Sequence, residues 1–268
     1  MDDHSARIFD NVQSGRVIRT GQAVSNSGRP TANDQENRRK LMELLKRTPL
    51  PADDLVHNLG LYLSRQSLAR ILYMAELYRE IIDVHGVVME FGVRWGQNMS
   101  LFGSLRGLYE PFNYNRVIIG FDTFAGFPGV SQEDGHAVAA HDYEVTNDYE
   151  DHLRQILAVH EAMSPIAHIR KHELVKGDAV VTIKRYLEDN PHTIVALAYF
   201  DFDIYAPTRA CLEAVLPRMP KGAILAFDEL NCPKFPGETL AVLETIGLHR
   251  YPLRRNPLNP HCSYMRIE

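Results

Sequence analysis

Carboxylates recur in this sequence where apolar runs end. "VVMEFGVRWGQNMS" (Val87 to Ser100) closes its apolar run on Glu90 and opens into Gly92 and Gly96. "GFDTFAGFPG" ends a second run in Asp122, with Thr123 and Phe124 behind it. "YFDFDIYAP" carries Asp201 and Asp203, and "AFDELNCP" carries Asp228 and Glu229. Between them, "ELVKGDAVVTI" sets Gly177 and Asp178 after another short run. Carboxylates of this kind accept hydrogen bonds from hydroxyls, hold hard divalent cations or take up a proton. An acid at the end of a second strand commonly binds ribose hydroxyls. The charge of Glu90 would repel a pyrophosphate, whereas it would help to hold a sulfonium or ammonium group.

The elements that must position these groups follow from the pattern. Apolar runs without alternation predict buried strands at Val87–Glu90, Val117–Phe121, Ile194–Phe202 and Ala223–Phe227, with a late edge strand near Ser263–Ile267. Helical patterns fall between them, including "NMSLFGSLRGLYE" and "PTRACLEAVLPRM". Such alternation predicts an α/β, doubly wound, mostly parallel sheet, in which ligands sit beyond the carboxyl ends of the strands. Gly92 and Gly96 then let the backbone approach a ligand, beside the free N–H groups of a helix start. "EFGVRWGQN" does not meet the G-x-G-x-x-G dinucleotide fingerprint, because Arg94 and Trp95 stand between glycines four apart.

The N-terminal part reads differently. Up to about Arg39 the chain is polar and aperiodic, which predicts a mobile arm or a segment ordered on binding. From Lys40 a helix with Leu41, Leu44 and Leu45 on one face is expected. "SRQSLARILYMAELYREIIDVHG" predicts a stronger helix, capped by Ser64 or Ser67, with Leu68, Ile71, Leu72 and Ala75 as its inner face. The organisation expected is an arm and helical extension over 1–63 and one domain over 64–268, carrying a lid insertion at about 129–165.

Composition limits the class. The 268 residues are 45% hydrophobic and 24% charged, with a formal net charge of -5, which gives no support to nucleic-acid binding. Cys211, Cys232 and Cys262 are odd in number and scattered, a pattern that suits a reducing cytoplasm rather than a disulfide framework. No secretory signal or membrane-spanning run is visible, so a cytoplasmic location without membrane partners is expected.

The quoted stretches together resemble class I S-adenosylmethionine-dependent methyltransferases, and more narrowly the macrocin O-methyltransferase family, which methylates sugar hydroxyls on natural products. The resemblance runs from about Gly86 to the C-terminus; the D-[ST]-F-x-G-x-P and D-x-D-x-Y elements are its more specific parts. It implies that Glu90, Gly92 and Gly96 line the methionine end of S-adenosylmethionine, with Val93 and Ser100 also in the cofactor set. Asp122 would hold the ribose hydroxyls with Thr123 and Phe124 beside it, and Asp178, next to Gly177, the adenine amino group. Asp201 would serve the cofactor and, with Asp228 and Glu229, a divalent metal such as Mg²⁺. The family usually shows two aspartates where this chain has Asp228-Glu229. Glutamate's longer stem displaces its oxygen, so ligation, a role as base and an unrelated orientation stay open for Glu229.

Methyl transfer aligns a nucleophile with a sulfonium carbon and removes the nucleophile's proton. Asp203 is the expected general base, and a divalent ion would lower the hydroxyl pKa. His136, His141, His152, His160, His168 and His172 compete as bases but are expected mostly at the surface. Tyr143 and Tyr149 would stack on the acceptor or anchor packing. Arg94 is expected to point outward, His261 to come within reach of the site, and Trp95 is left open. A small hydroxylated acceptor is the expected partner, and a homo-oligomer is compatible with the extension. Three alternatives stand beside this reading: a metal-free methyltransferase for another O or N acceptor, an NAD-dependent or nucleotide-sugar oxidoreductase, and a scaffold without catalysis.

Overall fold

The computed structural model describes residues 32–259 and 261–268, so the first part of the expected arm lies outside the described residues. Residues 32–39, expected in that arm, belong instead to helix α1 (Ala32–Lys46). Arg39 explains the difference, since it bonds Glu36 and Glu43 three and four residues away on an exposed surface. α1 buries none of its residues, and Leu44 is solvent-exposed, so the expected leucine face covers no core. Helix α2 (Ala52–His57) and a short 3₁₀ turn lead into α3 (Arg65–Glu80).

Ser64 caps α3 by accepting from the Ser67 N–H at 3.0 Å, which settles the choice between the two serines. The inner face of α3 is Ala69, Tyr73, Met74, Leu77 and Tyr78, whereas Leu68 and Leu72, expected inside, are exposed. The tyrosines win that face because their hydroxyls find buried partners. Tyr73 donates to the Ser263 carbonyl at 3.0 Å and Tyr78 to Glu110 at 2.6 Å.

The sheet has seven strands: β1 (Val87–Phe91), β2 (Ile118–Asp122), β3 (His172–Lys176), β4 (Val195–Phe200), β5 (Ile224–Phe227), β6 (Arg254–Arg255) and β7 (Ser263–Arg266). Their spatial order is β3-β2-β1-β4-β5-β7-β6. The first five are parallel, and β7 runs antiparallel between β5 and β6. β7 is therefore interior, not the expected edge. Its burial on that side comes from a pairing with β6, which is two residues long and too short to leave a pattern in the sequence. β4 stops at Phe200, two residues before the expected end, because Asp201 and Phe202 turn away at the top of the sheet.

Helices α4 (Gln97–Tyr109), α5 (Tyr149–Ala162), α6 (Ala179–Asp189), α7 (Tyr205–Val215) and α8 (Pro236–Thr245) complete the layers. On β2, a Cβ at Gly120 would meet Met99 of α4, while the Phe121 ring meets Tyr186 of α6 edge-on at 5.6 Å. Adjacent strand residues face opposite sides, so α4 and α6 cover opposite faces of the sheet. This is the doubly wound arrangement, with its topological switch between β1 and β4.

The register aligns the chemistry. Phe121, Phe91, Phe200 and Phe227 are cross-strand partners on β2, β1, β4 and β5. Their rings stack in a row at 5.1, 4.8 and 5.4 Å between centroids. The residue after each phenylalanine is Asp122, Gly92, Asp201 and Asp228 in turn. A buried aromatic ladder therefore lifts three aspartates into one tier at the carboxyl ends of the strands.

Candidate functional site

Above that tier lies a cavity of about 430 Å³, a size that suits a cofactor or small ligand. Gly92, Val93, Gly96, Asp122, Thr123, Gly177, Asp178, Asp201, Asp203, Asp228 and Glu229 all border it. Three expected site residues do not. Glu90 is buried behind the wall and reaches the cavity only through Asn98, which donates to it at 2.9 Å. Phe124 packs against the core, and Ser100 borders a separate small cavity between α4 and α5.

The two glycines answer to protein contacts. At Gly92 (φ +96°) an added Cβ would lie 2.2 Å from the Asp201 carbonyl oxygen. At Gly96 (φ +76°) it would meet the Leu153 side chain of α5 at 2.3 Å. The close approach expected toward a ligand is thus first an approach to the end of β4 and to α5. Gly96 nevertheless leaves α4 without a side-chain cap, so its first turn opens at the cavity wall.

Each aspartate is held differently. Asp122 accepts the backbone N–H of Arg94 at 2.8 Å and of Phe124 at 2.5 Å, which ties the β1 turn to the β2 turn. Burial raises its pKa despite these bonds. Asp178 caps α6 by accepting from the Val180 N–H at 2.9 Å and still faces the cavity. Asp203 sits at φ +63°, a backbone region unusual for a non-glycine residue, and is buried. Burial, then the charges of Asp201 and Glu229, push its carboxyl well above the usual range.

Arg70 of α3 is the site residue that sequence reasoning misses. Its guanidinium donates to Asp201, to Asp228 at 3.2 Å and to Asn98 at 3.4 Å. Asp228 is held on both oxygens, because the other one accepts from the Tyr199 hydroxyl at 2.6 Å and the Cys262 thiol at 3.0 Å. Burial opposes ionisation of Asp228, but Arg70 and these donors hold its pKa below the ordinary value. Asp201 goes the other way, raised by burial and by Asp228 more than Arg70 lowers it. No local signal links Arg70 to acids 131 and 158 residues away.

Glu229 turns partly aside. One of its oxygens is buried without a hydrogen-bond partner, and burial with the Asp228 charge pushes its pKa up to about 7. Its carboxylate also stands with Cys232 and His261, the ligand atoms of all three within 4.8 Å of one another. That mixed oxygen, sulfur and nitrogen set suits a softer ion than Mg²⁺. His261 does come within reach of the site, as expected.

Of the other candidates, His136, His141, His152, His160 and His168 are exposed, and His172 lies in β3 bonded to Glu161. None of them borders the main cavity. Arg94 does not point outward: it borders the cavity and lies 4.8 Å from the Tyr143 ring centroid, because Tyr143 offers it a π face. Trp95 borders the cavity and packs edge-on against Tyr149 at 4.7 Å, so Tyr149 anchors the wall while Tyr143 faces the space.

A parallel switch point flanked by a glycine turn and a tier of strand-end acids is the arrangement expected of a class I S-adenosylmethionine-dependent methyltransferase. Two structures place the chain within that class. It is 42% identical to calicheamicin methyltransferase CalS11 over 95% of this chain and 98% of that one, with a TM-score of 0.86. An apo structure of CalS11, described as a TDP-rhamnose 3'-O-methyltransferase of calicheamicin biosynthesis, matches at 42% identity over 89% and 96%, with a TM-score of 0.79. The chain belongs to this family of S-adenosylmethionine-dependent methyltransferases. The O-methyltransferase NovP shares the fold at 16% identity and a TM-score of 0.57, over 74% of this chain and 79% of that one. No family model matches the chain, and no curated protein does. No helix among the described residues is long and apolar enough to cross a membrane.

Proposed function

We propose that this protein is a cytoplasmic O-methyltransferase for a sugar hydroxyl, with a nucleotide-linked deoxysugar as the acceptor class. The observation that carries the reading is the full-length relationship to a methyltransferase named for TDP-rhamnose. The acid tier beside a cavity of about 430 Å³ supports it chemically. In this reading Gly92, Val93, Gly96, Asp122, Thr123, Gly177 and Asp178 hold the cofactor from the β1–β2–β3 side. Asp203 faces the acceptor, and the segment from β2 to α5, with Tyr143, covers it as a lid.

The reaction is one displacement. The acceptor oxygen forms a bond to the methyl carbon, the carbon–sulfur bond breaks with its electron pair going to sulfur, and the hydroxyl proton passes to Asp203. A raised carboxyl pKa makes Asp203 a stronger base toward a hydroxyl than an exposed aspartate would be.

The donor set also fits a divalent cation in kind. Asp201, Asp228 and Glu229 present hard oxygens at the cavity, one Glu229 oxygen is buried and unpartnered, and four carboxyls, Asp203 included, share the single guanidinium of Arg70. These residues would hold a Mg²⁺-like ion, which supplies acidification and orientation of the acceptor hydroxyl when bound.

The test is incubation with S-adenosylmethionine and TDP-rhamnose, followed by mass spectrometry for a product heavier by one methylene. The absence of any methylated product across nucleotide sugars and glycosylated acceptors would sink the reading. Asp122→Ala is expected to weaken S-adenosylhomocysteine binding at least roughly tenfold in a calorimetric titration. Unchanged affinity would remove Asp122 from the cofactor set.

A further inference from the structure

We infer that Arg70 is the resident counter-cation of the strand-end acids, and that a divalent ion must displace it to bind them. The inference rests on the metal reading above and concerns how this chain sets its own metal affinity. Arg70 reaches Asp201 and Asp228 together, the two acids that β4 and β5 bring side by side. The outer oxygen of Asp228 accepts from Arg70, while its other oxygen is taken by Tyr199 and Cys262. An ion approaching Asp228 from the cavity therefore meets the guanidinium first.

The arginine is delivered by a rigid element. α3 is fixed by the buried rings of Tyr73 and Tyr78 and by their hydroxyl bonds to Ser263 and Glu110. Only the side chain beyond that helix is free to move. Arg70 itself borders the cavity and its side chain is 29% exposed, so displacement carries it into open space and not into the core. The exchange is favourable in charge, because Arg70 sets one positive charge against Asp201 and Asp228, with Asp203 and Glu229 bordering the same cavity, and a divalent ion brings twice that charge. It is opposed by the loss of charge-assisted hydrogen bonds to both aspartates. Apparent metal affinity is the difference between these two.

The measurement is Mn²⁺ binding to the full chain, read from the electron paramagnetic resonance signal of free Mn²⁺, in wild type, Arg70→Met, Arg70→Lys and Arg70→Met/Asp201→Asn. Arg70→Met is expected to bind Mn²⁺ at least roughly tenfold more tightly than wild type. The Asp201→Asn change should cancel that gain. Should Arg70→Met fold poorly by circular dichroism, Arg70→Lys carries the test, since lysine keeps the charge but cannot bridge both acids. It is expected to bind a few-fold more tightly than wild type. Binding by the variant alone supports the inference. Wild-type binding that is unchanged or weakened in the variants overturns it and leaves the metal reading standing. No Mn²⁺ bound by any form overturns both.

Discussion

Gly92→Ala is expected to unfold well below the wild type, and by a wider margin than Gly96→Ala. The added methyl at position 92 would lie 2.2 Å from the carbonyl oxygen and 2.7 Å from the carbonyl carbon of Asp201, both of them backbone atoms. Neither can yield alone, because the Asp201 N–H is bonded to Phe91 at 2.8 Å and the Gly92 N–H to Phe121 at 3.0 Å. The φ of +96° adds strain that an L side chain does not relieve. A cost of roughly 3 kcal/mol or more follows, or a fall in Tm on the order of 10 °C for a domain of this size. At Gly96 the obstacle is the tip of a leucine side chain, which can rotate, so the cost is nearer to the ~1–2 kcal/mol of a left-handed backbone. Calorimetry of both variants decides the point. Equal losses, or loss of cofactor affinity without loss of stability at position 92, would mean that the glycine serves the ligand and not the β1–β4 contact.

The acid tier was legible because its cause is local. A phenylalanine followed by aspartate closes the apolar runs of β2, β4 and β5, and parallel pairing turns that repeat into aligned rings and aligned carboxylates. What the chain hid depends on contacts far apart in sequence. Tyr73 and Tyr78 took the inner face of α3 from Leu68 and Leu72 because Ser263 and Glu110 happen to receive their hydroxyls. Periodicity cannot see that. The first turns of α1, before Lys40, escaped notice because an exposed charge pair holds them and the leucine face begins only at Leu41. Arg70 read as one polar residue of a helix, and only the fold carries α3 to the ends of β4 and β5. The three aspartates of the tier could be named from sequence, but the cation that faces two of them could not.

Asp203→Asn should lower turnover sharply while making the protein more stable. The substitution keeps the shape and the φ of +63°, which asparagine tolerates, so the backbone turn survives. It removes the group proposed to accept the hydroxyl proton, for which kcat is expected to fall about 10²- to 10⁴-fold. S-adenosylhomocysteine affinity should stay within about twofold, since in this reading Asp203 faces the acceptor and not the cofactor. The stability effect has the opposite sign. Burial and the charges of Asp201 and Glu229 raise the folded-state pKa of Asp203, so the native protein holds a proton that the unfolded chain has already lost. Stability from this group is complete below its unfolded pKa and declines as pH rises toward the folded value. The variant has no such decline, so its Tm advantage should be larger at about pH 8 than at about pH 5. In the wild type the same shift moves the acid limb of the rate profile from the carboxylate range toward neutrality, because the base works only when deprotonated. Wild-type-like turnover in Asp203→Asn would hand the proton to another group, with Glu229, which borders the same cavity, and His261 next to Glu229 as the next to test. Lost turnover together with lost stability would instead mark Asp203 as a structural acid, whose charge the fold needs more than the reaction does.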